Sequence, residues 1–356
     1  MQTLRRIRIE GFKSIALADI ALRDLNIVVG ANGSGKSNLM GAFRLLERVL
    51  SGNLQLHVAS DPDRLLHHGS KATPALAIDL EFARHSYRFG LKAERGTLVF
   101  ESERLLYRGD WHDGPTNTPG HLESRLEQTL REGPAKLPKA VFATMRSLTV
   151  HHFGDTSDSA PAKRVADLSD NRALRADAAN LAAYLYLLQE KHATAFRHIE
   201  EHVRLVAPFF DRFVLAPLRA NENKIKLEWR QKGSDAYFDA YSLSDGTLRF
   251  ICLATLLLQP VPPTLILLDE PELGLHPYAI RVLAEMLEAA SKRSQVLLAT
   301  QSVTLLNQSA PADVLVAENE AGATTFKRLD EVALERWLAD FSLGELWEKN
   351  VLGGRP

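Results

Sequence analysis

Eight consecutive residues, Gly30-Ala31-Asn32-Gly33-Ser34-Gly35-Lys36-Ser37, carry the densest chemistry in the chain. They fit the phosphate-binding pattern G-x-x-x-x-G-K-[ST], in which glycines let successive backbone N–H groups turn inward around a polyphosphate. In that pattern Lys36 reaches the β and γ phosphates, and the Ser37 hydroxyl ligates Mg²⁺. Asp269-Glu270 ends a later apolar run, residues 264–268. An aspartate at that place suits a Mg²⁺ contact, direct or through water, and the adjacent glutamate can polarise an attacking water. Thr300-Gln301-Ser302 ends a third apolar run, residues 295–299. Finally, Ser242-Leu243-Ser244-Asp245-Gly246-Thr247 opens an apolar helix. Hydroxyls and a glycine N–H at a helix start form an anion site with no lysine, although Ser and Asp there also read as a simple N-cap.

These groups need strands behind them. Leu25–Val29 is a short apolar run that reads as a buried strand, and Leu39, Phe43, Leu46 and Leu50 recur at helical spacing, so the loop joins strand to helix. The runs at 264–268 and 295–299 read as two more buried strands. Their polar ends then share the carboxyl edge of an open α/β sheet, where such sheets bind ligands. Residues 3–10 alternate apolar and charged and return as a hairpin at 15–22. Strand-like runs at 75–82, 87–92, 97–100 and 104–107 predict an antiparallel meander beside the nucleotide strand. Residues 109–120 read as a loop, followed by a helix over about 122–131 and an apolar stretch at 141–150. Residues 174–206 are strongly helical and predict a separate lobe ended by Pro208; strands follow at 224–229 and 236–241. The division is therefore an ATP-binding lobe at 1–110, a mostly helical insertion at 111–220, and the remainder of the ATPase domain at 221–356.

Composition excludes several classes. Hydrophobic residues are 45% and charged ones 24%, ordinary for a globular chain, and the net charge of -1 advertises no overall nucleic-acid field. One cysteine, Cys252, rules out an internal disulfide. No signal peptide opens the sequence, and no uncharged apolar run approaches the ~20 residues of a membrane helix, so a cytoplasmic protein is expected. His198-Ile199-Glu200-Glu201-His202 matches the H-x-x-E-H zinc-peptidase pattern, but a real site would also need a third ligand and a cleft, the short pattern arises readily in helices rich in His and Glu, and a solvated helix face is the better reading. Arg5, Arg6 and Arg8 read as the solvated face of an edge strand.

Taken together, the phosphate loop, LSDGT, Leu-Leu-Asp-Glu-Pro and Ala-Thr-Gln-Ser resemble the ATP-binding cassette (ABC) ATPases. Ile9-Glu10-Gly11-Phe12-Lys13-Ser14 and the loop extended to Asn38 are similar to the soluble RecF/SMC-like branch. LSDGTLRF with DEPELGLHP resembles bacterial predicted AAA-type ATPases, including the ATPase halves of OLD-like defence proteins. The resemblance implies a P-loop NTPase head: a mixed α/β sheet, an antiparallel β subdomain and a helical lobe. It implies ATP and Mg²⁺ as ligands. Gly30, Asn32, Gly33, Ser34, Gly35, Lys36, Ser37 and Asn38 would bind the phosphates, Ser37 and Asp269 the metal. Glu270 would be the base, with Lys36 and Gln301 beside it in catalysis. Ser244 and Gly246 would contact the γ-phosphate held by a second subunit, so ATP would close a head-to-tail homodimer.

Three departures stand out. Gln301 occupies the place of a switch histidine and carries no group that titrates near pH 7. His276 stands where transporter subunits usually have an aspartate. No glutamine for the loop joining the lobes is identifiable, and His151 or His152 falls about there. The expected activity is ATP hydrolysis by a non-transporting ATPase that acts on DNA or on a separate effector such as a nuclease, in DNA repair or anti-phage defence. The alternatives are the ATPase subunit of a membrane transporter and a non-hydrolysing nucleotide switch.

Overall fold

Alternation of apolar and charged residues from Leu4 onward builds the first hairpin, β1 (Leu4–Phe12) against β2 (Ile15–Ala21). The computed structural model describes residues 3–107, 110–112, 119–128 and 148–354. The hairpin extends into a six-stranded antiparallel sheet with β4 (Ala75–Phe82), β5 (His85–Glu94), β6 (Thr97–Tyr107) and β7 (Asp110–His112), in the order β2-β1-β4-β5-β6-β7. Two strands were expected where β6 runs unbroken, because Glu101-Ser102-Glu103 looks like a turn in the sequence. Glu103 is instead buried, accepting hydrogen bonds from the Tyr87 hydroxyl (2.6 Å), the Ser124 hydroxyl and the Arg125 N–H (2.9 Å). A satisfied carboxylate lets a polar stretch cross a core.

The second sheet carries the polar loops. Its order is β18-β17-β3-β16-β15-β8, built from β3 (Leu25–Val29), β8 (Thr149–His151), β15 (Leu265–Asp269), β16 (Gln295–Thr300), β17 (Val314–Glu320) and β18 (Ala323–Arg328). Every pair is parallel except the β17–β18 hairpin. All of β3 and β16 is buried, the mark of a parallel sheet covered on both faces. One covering layer contains the helix Lys36–Leu50, whose Leu39, Phe43 and Leu46 join an apolar cluster with the antiparallel sheet. The meander is thus a separate sheet packed over the nucleotide strand. A side-chain amide ties the two sheets together: Gln295 accepts from the Leu4 N–H (3.0 Å) and donates to the Leu4 carbonyl (2.8 Å), as a neighbouring strand would.

The other covering layer holds the helices Leu181–Lys191, Ala193–Val206, Asp245–Leu258 and Pro277–Ser291. Two three-stranded sheets lie in the same part of the chain, one of β10 (Phe210–Val214), β13 (Glu228–Gln231) and β14 (Tyr237–Asp239), the other of β9 (Ala166–Asp167), β11 (Pro217–Leu218) and β12 (Asn221–Ile225). One apolar cluster runs from Leu181 through Val203 and Phe213 to Phe250 and Leu283, across the boundary expected near residue 220. The helix expected from 174 begins only at Leu181, because the Asn180 amide holds the preceding turns through Asp170, Ala173 and Arg175. The single strand expected at 224–229 is split between β12 and β13. Of the helix expected at about 122–131, residues 122–125 are not helical, 126–128 are, and 129–131 lie outside the described residues; of the stretch at 141–150, residues 141–147 lie outside them and Thr149 and Val150 belong to β8.

Within Ala193–Val206, Glu200 is buried and accepts from Arg204 (3.0 Å) and the Phe213 N–H (2.9 Å), while His198 is exposed. Glu200 fastens its helix to β10.

Candidate functional site

Strand register brings the polar loops to one edge. Val29 pairs with Thr300 on one side and Val316 on the other, Ala299 pairs with Asp269, and Leu268 pairs with His151. The chain therefore leaves β3, β16 and β15 at neighbouring points, as Gly30, Gln301 and Glu270.

The glycines of the first loop are there for different reasons. Gly33 (φ +78°) and Gly35 (φ +99°) hold left-handed backbone that side chains disfavour. A methyl group on Gly35 would also overlap Thr324 of β18, and one on Gly30 would overlap the Ala317 carbonyl oxygen of β17. Gly33 alone of the three faces open space. The Gly11–Ser14 turn braces the same point. The Thr324 N–H donates to the Ser14 carbonyl (2.7 Å), the two hydroxyls lie 2.6 Å apart, and the Asn38 amide donates to the Ser14 hydroxyl (2.6 Å). The Asn38 side chain, expected among the phosphate ligands, thus points to this brace. At the loop's start, the Ala31 N–H donates to the Gly354 carbonyl (2.6 Å).

Lys36 opens the loop helix and is 4% exposed. Its ammonium donates to the Gly30 and Ala31 carbonyls at 2.6 and 2.8 Å, arching over the loop. Burial lowers its pKa, and the carboxylates of Glu270, Asp269 and Glu272 oppose that shift. Asn32, Gly33 and Ser37 are exposed.

Across the edge, Asp269 accepts from Arg44 of the loop helix (2.9 Å). Arg44 lies eight residues after Lys36, a little over two turns along the same helix. Glu270 keeps its N–H in the ladder to the Ala299 carbonyl (2.9 Å) but takes a left-handed φ of +48°, so the chain folds back immediately. Its carboxylate accepts from the Gln301 amide at 2.7 Å. Glu272 accepts from the Thr300 hydroxyl and the Gln301 N–H (3.2 Å), a role the sequence pattern did not single out. Ser37 in the first turn of the loop helix, Asp269 at the end of β15 where it pairs with Arg44, a lysine and a helix N-terminus are the donor types that a Mg²⁺–polyphosphate calls for.

Ser244 caps the helix Asp245–Leu258, its hydroxyl accepting from the Thr247 N–H (3.2 Å). A methyl on Gly246 would sit 2.5 Å from the Gly274 carbonyl oxygen, so this helix start rests on the turn after Glu272. Arg249, buried, donates to the carbonyls of Phe153 (2.9 Å) and Gly154 (3.0 Å) and fixes the 151–154 loop beside it. Among the described residues, no hydrogen bond joins Ser244 or Gly246 to the Gly30–Ser37 loop of the same chain. Of the two histidines expected near the lobe junction, His151 is buried, which pushes its pKa down to about 4, and His152 is exposed.

A protein-family model described as "AAA domain, putative AbiEii toxin, Type IV TA system" matches residues 25–307. No curated protein matches the sequence. Among solved structures, the chain is similar to an SMC head bound to the C-winged helix domain of ScpA, with a TM-score of 0.64 and 17% identity over 94% of this chain and 99% of that one. It is also similar to a Pyrococcus furiosus SMC head with an extended coiled coil bound to the C-terminal domain of ScpA (TM-score 0.60, 15% identity, 96% and 99% covered). A Pyrococcus yayanosii SMC head with a coiled coil and joint gives a TM-score of 0.56 at 13% identity, with 96% and 99% covered. At such identities the likeness is one of fold, and the fold is that of an SMC-type ATPase head.

Proposed function

The chain belongs to the AAA-domain family whose model spans residues 25–307, and from that premise we propose that it binds ATP with Mg²⁺ and hydrolyses it to ADP and phosphate. The observation that carries the reading is the convergence of Gly30–Ser37, Asp269-Glu270 and Thr300-Gln301 on one sheet edge. The loop N–H groups and Lys36 hold the phosphates, and Ser37 and Asp269 hold the metal. Bound Mg²⁺ would neutralise charge on the β and γ oxygens. Glu270 takes a proton from the attacking water as the new P–O bond forms and the bond to ADP breaks. Gln301 holds the Glu270 carboxylate in orientation. Phosphoryl transfer asks mainly for positioning and charge neutralisation, which these residues supply.

The site is completed by a second copy. Ser244 and Gly246 stand at an exposed helix start without a bond to their own loop, which supports their use across a head-to-tail dimer driven by ATP. That dimer acts on a separately encoded effector or on DNA, in the cytoplasm. The family description names a toxin–antitoxin system, and the similar SMC heads are seen with ScpA bound, so an effector in a defence setting is favoured over a role in DNA repair. Among the described residues no helix is long and apolar enough to cross a membrane. A transporter's ATPase subunit remains the rival, and co-purification with a membrane protein would favour it.

Mixing two inactive variants tests the shared site. Lys36→Ala removes phosphate binding, and Ser244→Arg blocks closure by bulk and charge. A mixed dimer holds one intact site, so phosphate release partly returns on mixing. No recovery despite proven heterodimers, or full activity of Ser244→Arg alone, would contradict the shared site.

A further inference from the structure

Glu272 lies two residues beyond the proposed base, and the hydrolysis described above leaves it without a task. We propose that Glu272 is a positioning residue that clamps the Thr300-Gln301 turn, so that the Gln301 amide is presented to Glu270. The inference rests on the ATPase reading of this edge.

The geometry is a grip on one residue from two sides. Glu270 leaves β15 with left-handed backbone, and the Leu273 and Leu275 N–H groups donate to the carbonyls of Glu270 (3.2 Å) and Glu272 (3.0 Å). That tight turn returns the Glu272 side chain to the end of β16. There Oε1 accepts both the Thr300 hydroxyl and the Gln301 backbone N–H. Gln301 is thus held by its backbone to Glu272 and by its side chain to Glu270, two carboxylates from the same turn. Only one orientation of the Gln301 amide works, because a carboxylate accepts and never donates when ionised.

The second oxygen makes this placement of Glu272 a costly one. Oε2 of Glu272 is enclosed and has no hydrogen-bond partner, which is costly for a carboxylate. Burial, with the neighbouring Glu270 adding to it, raises the Glu272 pKa.

The test is a double-mutant cycle read as kcat, KM and nucleotide affinity on the full chain. Glu272→Ala lowers kcat on the order of tenfold while calorimetric affinity for ATP changes less than about twofold. Glu272→Gln keeps an acceptor oxygen and recovers most of the rate. In a Gln301→Ala background, Glu272→Ala costs less than about twofold more, because both act through one amide. Should Glu272→Ala not fold, Thr300→Val removes one donor to the same oxygen and shows a smaller kcat loss that vanishes in that background. Wild-type kcat in a folded Glu272→Ala or Thr300→Val, or fully additive losses, would overturn the clamp while the ATPase reading stands. A wild-type chain that binds no nucleotide would overturn both.

Discussion

Gln301 donates its side-chain amide to the Glu270 carboxylate at 2.7 Å, joining the end of β16 to the end of β15. Since an amide does not titrate near neutrality, the wild-type rate should show no inflection from this position. Gln301→His should introduce one near the histidine range, roughly pH 6.5. A kcat profile from acid to alkaline pH checks this, and superimposable profiles for the two proteins would count against a role for Gln301 at Glu270.

Lys36→Ala should abolish ATP binding. It should also lower stability by about 1 kcal/mol, because the buried ammonium satisfies two loop carbonyls. Calorimetry and thermal melting separate the two effects. Unchanged affinity would remove Lys36 from the phosphate site.

Loop glycines should differ in what they tolerate. Gly33→Ala meets open space and costs only the left-handed backbone, about 1–2 kcal/mol. Gly35→Ala adds overlap with Thr324, so its loss in urea melts should exceed that of Gly33→Ala. Trimming Thr324 to Ala should return part of the difference. Equal losses at the two positions would mean β18 does not brace the loop.

Acid should weaken the fold through buried histidines. His85 stacks on Phe82 with neither ring nitrogen partnered, and burial lowers its pKa to about 4; His151 is lowered likewise. The unfolded chain takes up these protons near pH 6.5 and the folded chain only near 4, so the contribution is full above 6.5 and is lost as pH falls toward 4. Between about pH 7.5 and 5.5 the loss is roughly 1 kcal/mol per histidine. The raised carboxyls of Glu47, Asp79, Glu200, Glu272 and Asp313 act in the opposite sense, mostly at lower pH. Urea unfolding of His85→Phe should show a shallower pH slope than wild type, and parallel slopes would contradict the assignment.

Much of the edge was legible in the sequence because strand ends and glycine spacing are local signals. Leu25–Val29, Asp269-Glu270 and Thr300-Gln301 fall where apolar runs stop, and parallel pairing then aligns them. Long-range partners were not legible. Nothing near Gly35 announces Thr324, and nothing near Asp269 announces Arg44, since both contacts depend on how the sheets and helix stack. Glu272 sat inside a recognised motif, yet its role appears only once β15 and β16 lie side by side. The late start of the helix at Leu181 reflects side-chain bonds of Asn180 that compete with helical ones.

The central claim is that this chain hydrolyses ATP with Glu270 as base, and phosphate release with ATP and Mg²⁺ tests it most directly. Wild type should release phosphate. Glu270→Gln can still accept from Gln301 but cannot take the proton of water, so it should bind ATP with similar affinity and release phosphate at least about a hundredfold more slowly. Equal release from the two proteins, or no nucleotide binding by the wild type, would contradict the account.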